Sequence, residues 1–125
     1  MRRREGHRIG LGRRGERAAA RWYVANGYEV LARNWRCRQG EIDLVCTRAQ
    51  SLWSRSVQVL VVCEVKTRTS ASYGHPLEAV TAAKQRRLRR LAAVFVQGQR
   101  AHFDQVRFDV VAITAGQLVV VEGAF

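Results

Sequence analysis

The most hydrophobic part of the chain is the run from Val57 to Val65, which is rich in valine. This pattern predicts a strand that is buried on both faces. The apolar character breaks at the carboxyl end, where Glu64 and Lys66 lie two residues apart and therefore point to the same face. Two charged side chains at the end of a buried strand cost free energy unless they form a salt bridge or take part in function. A simple salt bridge and a catalytic site are therefore the two interpretations of this strand end.

Alternating patterns upstream predict a hairpin. Tyr28 to Arg36 is typical of a strand, with Tyr28, Val30 and Ala32 on one face. A turn at Gln39–Gly40 leads into a partner strand from Glu41 to Cys46. The two faces of that partner strand carry Ile42, Leu44 and Cys46 on one side and Glu41, Asp43 and Val45 on the other.

The segment from Arg48 to Ser56 is polar and predicts an irregular connection. Two further strands are predicted at Val106–Thr114 and Leu118–Val121. A small-residue loop is predicted from Thr69 to His75, directly after the central strand. The three tryptophans are expected at the core or its rim: Trp22, Trp35 and Trp53.

Helical periodicity predicts two helices. The first runs from about Gly15 to Ala25 and ends at Asn26–Gly27, which suits a left-handed C-cap. The second begins after an N-cap at Thr81 and runs to about Gln97. Its apolar stripe consists of Leu88, Leu91, Ala92 and Phe95, beside a basic face of Arg86, Arg87, Arg89 and Arg90.

The predicted order of elements is α-β-β-β-α-β-β, which indicates an α/β domain with a mixed central β-sheet flanked by helices. At 125 residues the chain is long enough for one domain with its own core. Residues 1–14 contain six arginines and little apolar surface. We expect them to form a basic flexible arm that either frays or contacts phosphates, with residues 15–125 as the single domain.

The formal net charge of +12 comes almost entirely from arginine, since only two of the 22 basic residues are lysines. Arginine binds phosphate through a planar fork, so the charge favours a nucleic-acid partner. The basic residues predicted to contact it are Arg13, Arg14, Arg68, Lys84 and Arg86.

The three cysteines show no metal-binding spacing, and Cys46 and Cys63 fall on apolar strand faces. Buried free thiols are typical of a reducing compartment, so we expect a cytoplasmic protein. No signal peptide or membrane-spanning run is visible, and no membrane partner is expected.

Acidic residues on neighbouring predicted strands suggest a metal site. Asp43 and Glu64 would lie close enough to share one ion if their strands are adjacent. Two carboxylates, the main-chain carbonyl of Val65 and water are the oxygen ligands that Mg²⁺ prefers, with Mn²⁺ as the alternative. Lys66 would orient or deprotonate an attacking water, or stabilise developing charge. Glu16, in the first turn of its helix, has a second explanation in the helix dipole.

Several segments together resemble one family of proteins. They are Gly15–Ala19, Gly27–Tyr28, Leu31–Arg36, Gly40–Val45, Glu64–Arg68, Ala79–Thr81, Lys84–Leu88 and Arg107–Val110. In this order they resemble the YraN-type bacterial proteins, which are placed in the restriction-endonuclease-like superfamily near the archaeal Holliday junction resolvases. The resemblance implies a catalytic site of Glu16, Asp43, Glu64 and Lys66 with Mg²⁺. It also implies that Gln85 approaches the site and the substrate from the second helix.

The sequence departs from the superfamily pattern in two places. Ile42 precedes Asp43 where the best-known superfamily motif has proline, and the connection around Trp53 is long.

The predicted function is a Mg²⁺-dependent endonuclease that acts on DNA, branched or otherwise structured. The alternative is a non-catalytic nucleic-acid-binding protein that retains the fold. Resolvases act as dimers on two-fold junctions, so a homodimer is a candidate assembly, although no dimer face is identified. Arg107 and Asp109 share a strand face, which predicts a structural ion pair.

Overall fold

The computed structural model describes residues 2–68 and 74–125, with side chains from Arg13 onward. These described residues form two α-helices, five strands and a 3₁₀ turn at Pro76–Ala79. The elements are α1 (Arg2–Ala25), β1 (Glu29–Cys37), β2 (Gly40–Leu52), β3 (Arg55–Arg68), α2 (Ala82–Gln97), β4 (Gln105–Thr114) and β5 (Gln117–Val121). The predicted order α-β-β-β-α-β-β is confirmed.

The five strands form one mixed sheet in the order β1-β2-β3-β4-β5. β3 and β4 pair in parallel, and the other three neighbouring pairs are antiparallel. A parallel pair needs a crossover connection, which α2 supplies between β3 and β4. This topology places β3 at the centre of the sheet, as its continuous apolar run predicted.

The two helices cover opposite faces of the sheet. One core cluster joins α1 to the sheet through Ala19, Ala20, Tyr23, Leu44, Cys46, Val61 and Cys63. The other joins α2 to the sheet through Leu88, Leu91, Ala92, Phe95, Val45, Leu60 and Val62. The predicted stripe of α2 is thus confirmed, and so is its N-cap, because the Thr81 hydroxyl accepts a hydrogen bond from the N–H of Lys84 at 3.2 Å. Burying each large aliphatic side chain contributes about 1.5–3 kcal/mol.

Two predictions of strand faces are wrong, and a β-bulge explains the first. The register of β1 against β2 shifts between Val30 and Ala32, so Ala32 packs on the α2 side while Val30 packs on the α1 side. Ile42 packs with the α2 cluster and not with Leu44 and Cys46. Towards its start, β2 pairs with β3 only as far back as Leu44, so the strict alternation imposed by that ladder does not extend to Ile42.

The predicted connection from Arg48 to Ser56 is also wrong. β2 and β3 continue to pair as far as Leu52 and Arg55, and Trp53–Ser54 forms a two-residue turn with Trp53 at φ 59°. Main-chain pairing overrides the polar composition of this segment. Trp53 stands fully exposed at the tip of the hairpin, contrary to the expectation of a core or rim position, whereas Trp22 and Trp35 pack against the core.

Helix α1 begins at Arg2, well before the predicted start near Gly15. Arginine favours helices and no proline interrupts the segment, so the helix continues through residues that have no apolar stripe. The division into an arm and a domain stays a prediction, since the side chains of residues 1–12 lie outside the described part. Most of the loop predicted at Thr69–His75 lies outside it as well. Neither described helix is long and apolar enough to cross a membrane.

Candidate functional site

The candidate site lies where β2 and β3 stop pairing. The last cross-strand pair of their ladder is Leu44 with Cys63. One residue beyond, Oδ2 of Asp43 accepts a hydrogen bond from the main-chain N–H of Val65 at 2.9 Å. The carboxylate thereby continues the connection between the strands after the main-chain ladder ends. This bond fixes Asp43 beside the end of β3, as its predicted role requires.

Glu64 and two lysines form an ion cluster on the α2 side of β3. Nζ of Lys66 lies 3.3 Å from Oε1 of Glu64, and Nζ of Lys84, from α2, lies 3.6 Å from the same oxygen. The Glu64 side chain is 13% exposed, so both contacts operate in a partly desolvated place. The salt bridge between Glu64 and Lys66 that the sequence suggested is therefore present.

The pKa of Asp43 is raised to about 7, first by burial and then by the negative charge of Glu64. The hydrogen bond from Val65 opposes this shift, while the charges of Glu16 and Glu41 add to it. Burial and neighbouring negative charge both disfavour the ionised form of a carboxyl group. The carboxylates predicted from three separate elements thus share one electrostatic environment.

The two lysines respond differently to the cluster. Burial disfavours the charge of Lys66, but its contact with Lys84 and the charges of Glu64 and Asp43 prevail and raise its pKa above the ordinary lysine value. The pKa of Lys84 is lowered, first by its contact with Lys66 and then by burial. Lys66 is therefore a stable cation at neutral pH.

Lys84 belongs to this cluster more directly than the sequence indicated. It lies three residues after the N-cap of α2, where the helix dipole disfavours a positive charge. Its contact with Glu64 offsets that disadvantage. The signal that pointed to it was the scarcity of lysine, because Lys66 and Lys84 are the two lysines of the chain.

Glu16 reaches the same region from α1. It lines a cleft of about 290 Å³ together with Arg13, Arg17, Arg33 and Asn34. Gly15 allows this approach, since a Cβ atom at that position would meet Oγ1 of Thr67 near the end of β3. Arg17, Arg33 and Asn34 were not among the predicted site residues, because nothing in the sequence shows that β1 passes beside Glu16.

The other predicted contacts are arranged around this centre. Arg68 donates to the main-chain carbonyl of Gly74 at 2.6 Å, and the Gln85 amide donates to that of Val80 at 3.2 Å. Arg13, Arg14 and Arg86 have exposed side chains. Val65 follows Glu64 at the end of β3, and its N–H is occupied by Asp43. The predicted roles of these residues in binding nucleic acid or metal stay predictions.

Arg107 and Asp109 form the structural pair that their spacing predicted. Asp109 is 1% exposed and accepts two hydrogen bonds from the Arg107 guanidinium at 2.9 Å each. The hydroxyl of Tyr23 donates to Oδ2 of Asp109 at 2.7 Å, and the N–H of Gly123 donates to Oδ1 at 3.0 Å. This network joins α1 to β4 on the α1 side of the sheet and satisfies the buried charge.

Within the described part of the chain, no three His, Cys, Asp or Glu side chains are grouped so as to hold a metal ion. The predicted ligand set is smaller, with two carboxylates and a main-chain carbonyl, and it stays a prediction. Cys46 and Cys63 are buried free thiols, as predicted. Burial raises the pKa of Cys46 to about 12, so this thiol is inert at neutral pH.

Comparison with known proteins gives consistent matches. The model of "Uncharacterised protein family UPF0102" matches residues 15–113. A UPF0102 protein of Beutenbergia cavernae is 52% identical over 103 residues, which cover 82% of this chain and 80% of that protein. UPF0102 proteins of Rhodococcus opacus and Mycolicibacterium gilvum are 47% and 46% identical over 110 residues, covering 88% of this chain and 86% and 85% of theirs. The matched range contains the positions of Glu16, Asp43, Glu64, Lys66 and Lys84. The chain therefore belongs to the uncharacterised family UPF0102, the YraN-type proteins that its motifs resemble.

Proposed function

We propose that this protein is a Mg²⁺-dependent endonuclease that hydrolyses phosphodiester bonds in DNA, with branched or otherwise structured DNA as its substrate. The observation that carries the proposal is the position of Asp43, held at the diverging ends of β2 and β3 beside Glu64 and Lys66. Two carboxylates and an ammonium group at one strand end are the groups that metal-assisted phosphodiester hydrolysis requires.

The donor set fits a divalent cation. Burial, and then the nearby charge of Glu64, make the ionised form of Asp43 costly and raise its pKa to about 7. An oxygen-preferring cation held by both carboxylates and the Val65 carbonyl would remove that cost, and Mg²⁺ or Mn²⁺ prefers such ligands. When bound, the ion supplies Lewis-acid activation of water and of the scissile phosphate.

Residues of the chain itself have three further roles in the proposed reaction. Lys66, whose ammonium lies 3.3 Å from Glu64, orients or helps to deprotonate the attacking water, or stabilises the charge that develops on phosphate. The N–H of Val65 keeps the Asp43 carboxylate in place during the reaction. Glu16 adds a third negative charge at the edge of the site.

A second candidate is a nucleic-acid-binding protein without turnover, and one observation favours it. Glu64 is already neutralised by two ammonium groups, Lys66 and Lys84, so no cation is needed to balance it. If those contacts persist in the nucleic-acid complex, the basic surface binds DNA and the acidic residues serve only to hold the strand end. The net charge of +12 supports both candidates equally.

Incubation with labelled duplex, flap and four-way-junction DNA in Mg²⁺, in Mn²⁺ and in chelator separates these candidates. The endonuclease proposal predicts cleavage of at least one substrate with either metal and none in chelator, with structured DNA cut faster than duplex. Binding of these substrates without cleavage in either metal contradicts the endonuclease proposal and supports the second candidate.

A further inference from the structure

The cleft beside Glu16 is positively charged and faces solvent. Three of the five residues that line it, Arg13, Arg17 and Arg33, carry guanidinium groups, against the single carboxylate of Glu16. The side chains of all three arginines are exposed. Among the described residues, none of them has a carboxylate oxygen within 4.0 Å. Three cations that repel one another in a shared cleft favour the binding of an anion.

The walls of the cleft come from helix α1 and strand β1. Arg13 and Arg17 are four residues apart on α1 and therefore lie on the same side of the helix, about 6 Å apart along its axis. Arg33 and Asn34 lie on β1, whose main chain turns to φ 50° at Asn34. Asparagine tolerates this left-handed conformation. Its side-chain amide provides a further hydrogen-bond donor in the cleft, beside those of the arginines.

The cleft is joined to the candidate site through Glu16. Glu16 lines the cleft, and its charge contributes to the raised pKa of Asp43. Arg33 pairs with Leu44 and Trp35 with Ile42, so Asn34 lies beside Asp43 on the neighbouring strand, and a ligand in the cleft would lie next to Asp43. The basic face of α2 lies across the sheet on the opposite side.

We propose that this cleft binds a phosphate of the DNA backbone, so that the bound strand crosses the α1–β1 side of the candidate site. This inference rests on the proposed function, because it specifies the path of the same substrate. A volume of about 290 Å³ accepts a phosphate group with part of its sugars. Guanidinium groups bind phosphate oxygens in pairs with defined geometry, which lysines do not do. Arg21, one helical turn beyond Arg17 and also exposed, extends the path along α1.

The test measures equilibrium binding of a four-way junction and of duplex DNA in chelator, over a series of salt concentrations. The double variant Arg17→Gln, Arg33→Gln removes two charges from the cleft. The matched control Arg90→Gln, Arg100→Gln removes two exposed charges elsewhere, on α2 and in the segment before β4. Thermal melting verifies that each variant is folded.

The cleft variant should reduce the slope of log affinity against log salt by about 1 for each arginine removed, and the control should leave it nearly unchanged. Equal slopes for the two variants would overturn the inference, since the lost charge would then act only through the general field. Because binding is measured without metal, the result does not depend on cleavage. A reduced slope in a protein that never cuts DNA would support the cleft and refute the endonuclease, whereas cleavage with equal slopes would do the reverse. Failure of the wild-type protein to bind DNA would overturn both.

Discussion

The main-chain N–H of Val65 donates to the side chain of Asp43 at 2.9 Å, beyond the last cross-strand pair of β2 and β3. A side-chain carboxylate here takes the place of a main-chain carbonyl. The strands are thus allowed to separate without leaving the N–H of Val65 unpaired. The gap that opens holds the ionisable groups of the candidate site, so the local break in pairing and the chemistry have the same structural origin.

The raised pKa of Asp43 predicts how stability depends on pH. The folded protein binds a proton at Asp43 up to about pH 7, whereas the unfolded chain releases it near 3.8. Between these values the folded state holds more protons, so the free energy of unfolding falls as pH rises, by at most about 1.4 kcal/mol per pH unit. Asp43→Asn should therefore raise the melting temperature at pH 8 and change it little at pH 4.

Melting curves of wild type, Asp43→Asn and Glu29→Gln in chelator check this expectation. Glu29→Gln is the matched control, since it also converts an acid to its amide but at the exposed start of β1. An effect of Asp43→Asn that is the same at pH 4 and pH 8 would contradict the assignment of the raised pKa to Asp43.

Lys66 is predicted to act in chemistry and not in holding the substrate. Lys66→Ala should lower the cleavage rate by on the order of 10²-fold or more, because the attacking water or the developing charge loses its cation. DNA affinity should change little, as the arginine surface is intact. Single-turnover rates for wild type, Lys66→Ala and the exposed control Arg90→Gln distinguish this from a general loss of positive charge. A comparable loss of rate in both variants would argue against a specific role for Lys66.

The network around Asp109 is predicted to be structural. Tyr23→Phe removes the hydroxyl that donates to a fully buried carboxylate, so it should reduce the free energy of unfolding by about 1–3 kcal/mol. Tyr28→Phe should cost less, because Arg107 keeps both of its bonds to Asp109 when it loses the Tyr28 hydroxyl. Urea titrations of the two variants measure the difference, and equal destabilisation would show that Asp109 does not depend on Tyr23.

The sequence was sufficient for the parts of the fold that local patterns control. The apolar run of β3, the N-cap at Thr81 and the stripe of α2 are each visible within a few neighbouring residues. The association of Asp43 with Glu64 and Lys66 followed from the expectation that their strands are adjacent. Alternation along a single strand also predicted the Arg107–Asp109 pair, because residues two apart on one strand face are close in any fold.

The sequence-based predictions that were wrong or incomplete concern features that depend on contacts between distant segments. The bulge after Val30 changes the face of Ala32, and only the register against β2 reveals it. Pairing between β2 and β3 turned a polar segment into a long hairpin and left Trp53 exposed at its tip. The cleft around Glu16 forms because β1 passes beside α1. Lys84 reaches the ion cluster because α2 begins beside Glu64. None of these neighbours is close in sequence.

The DNA-cleavage activity of the Glu64→Ala variant most directly tests the central claim, which is that a metal site including Glu64 cleaves DNA. This substitution removes one carboxylate from the proposed metal site while every arginine stays in place. On the substrate that wild type cuts fastest, with Mg²⁺ or Mn²⁺, cleavage should fall to the level seen in chelator. Binding measured without metal should persist or tighten, because a negative charge that repels phosphate is gone. Cleavage by Glu64→Ala at the wild-type rate would show that the reaction does not use this site, and it would contradict the mechanism.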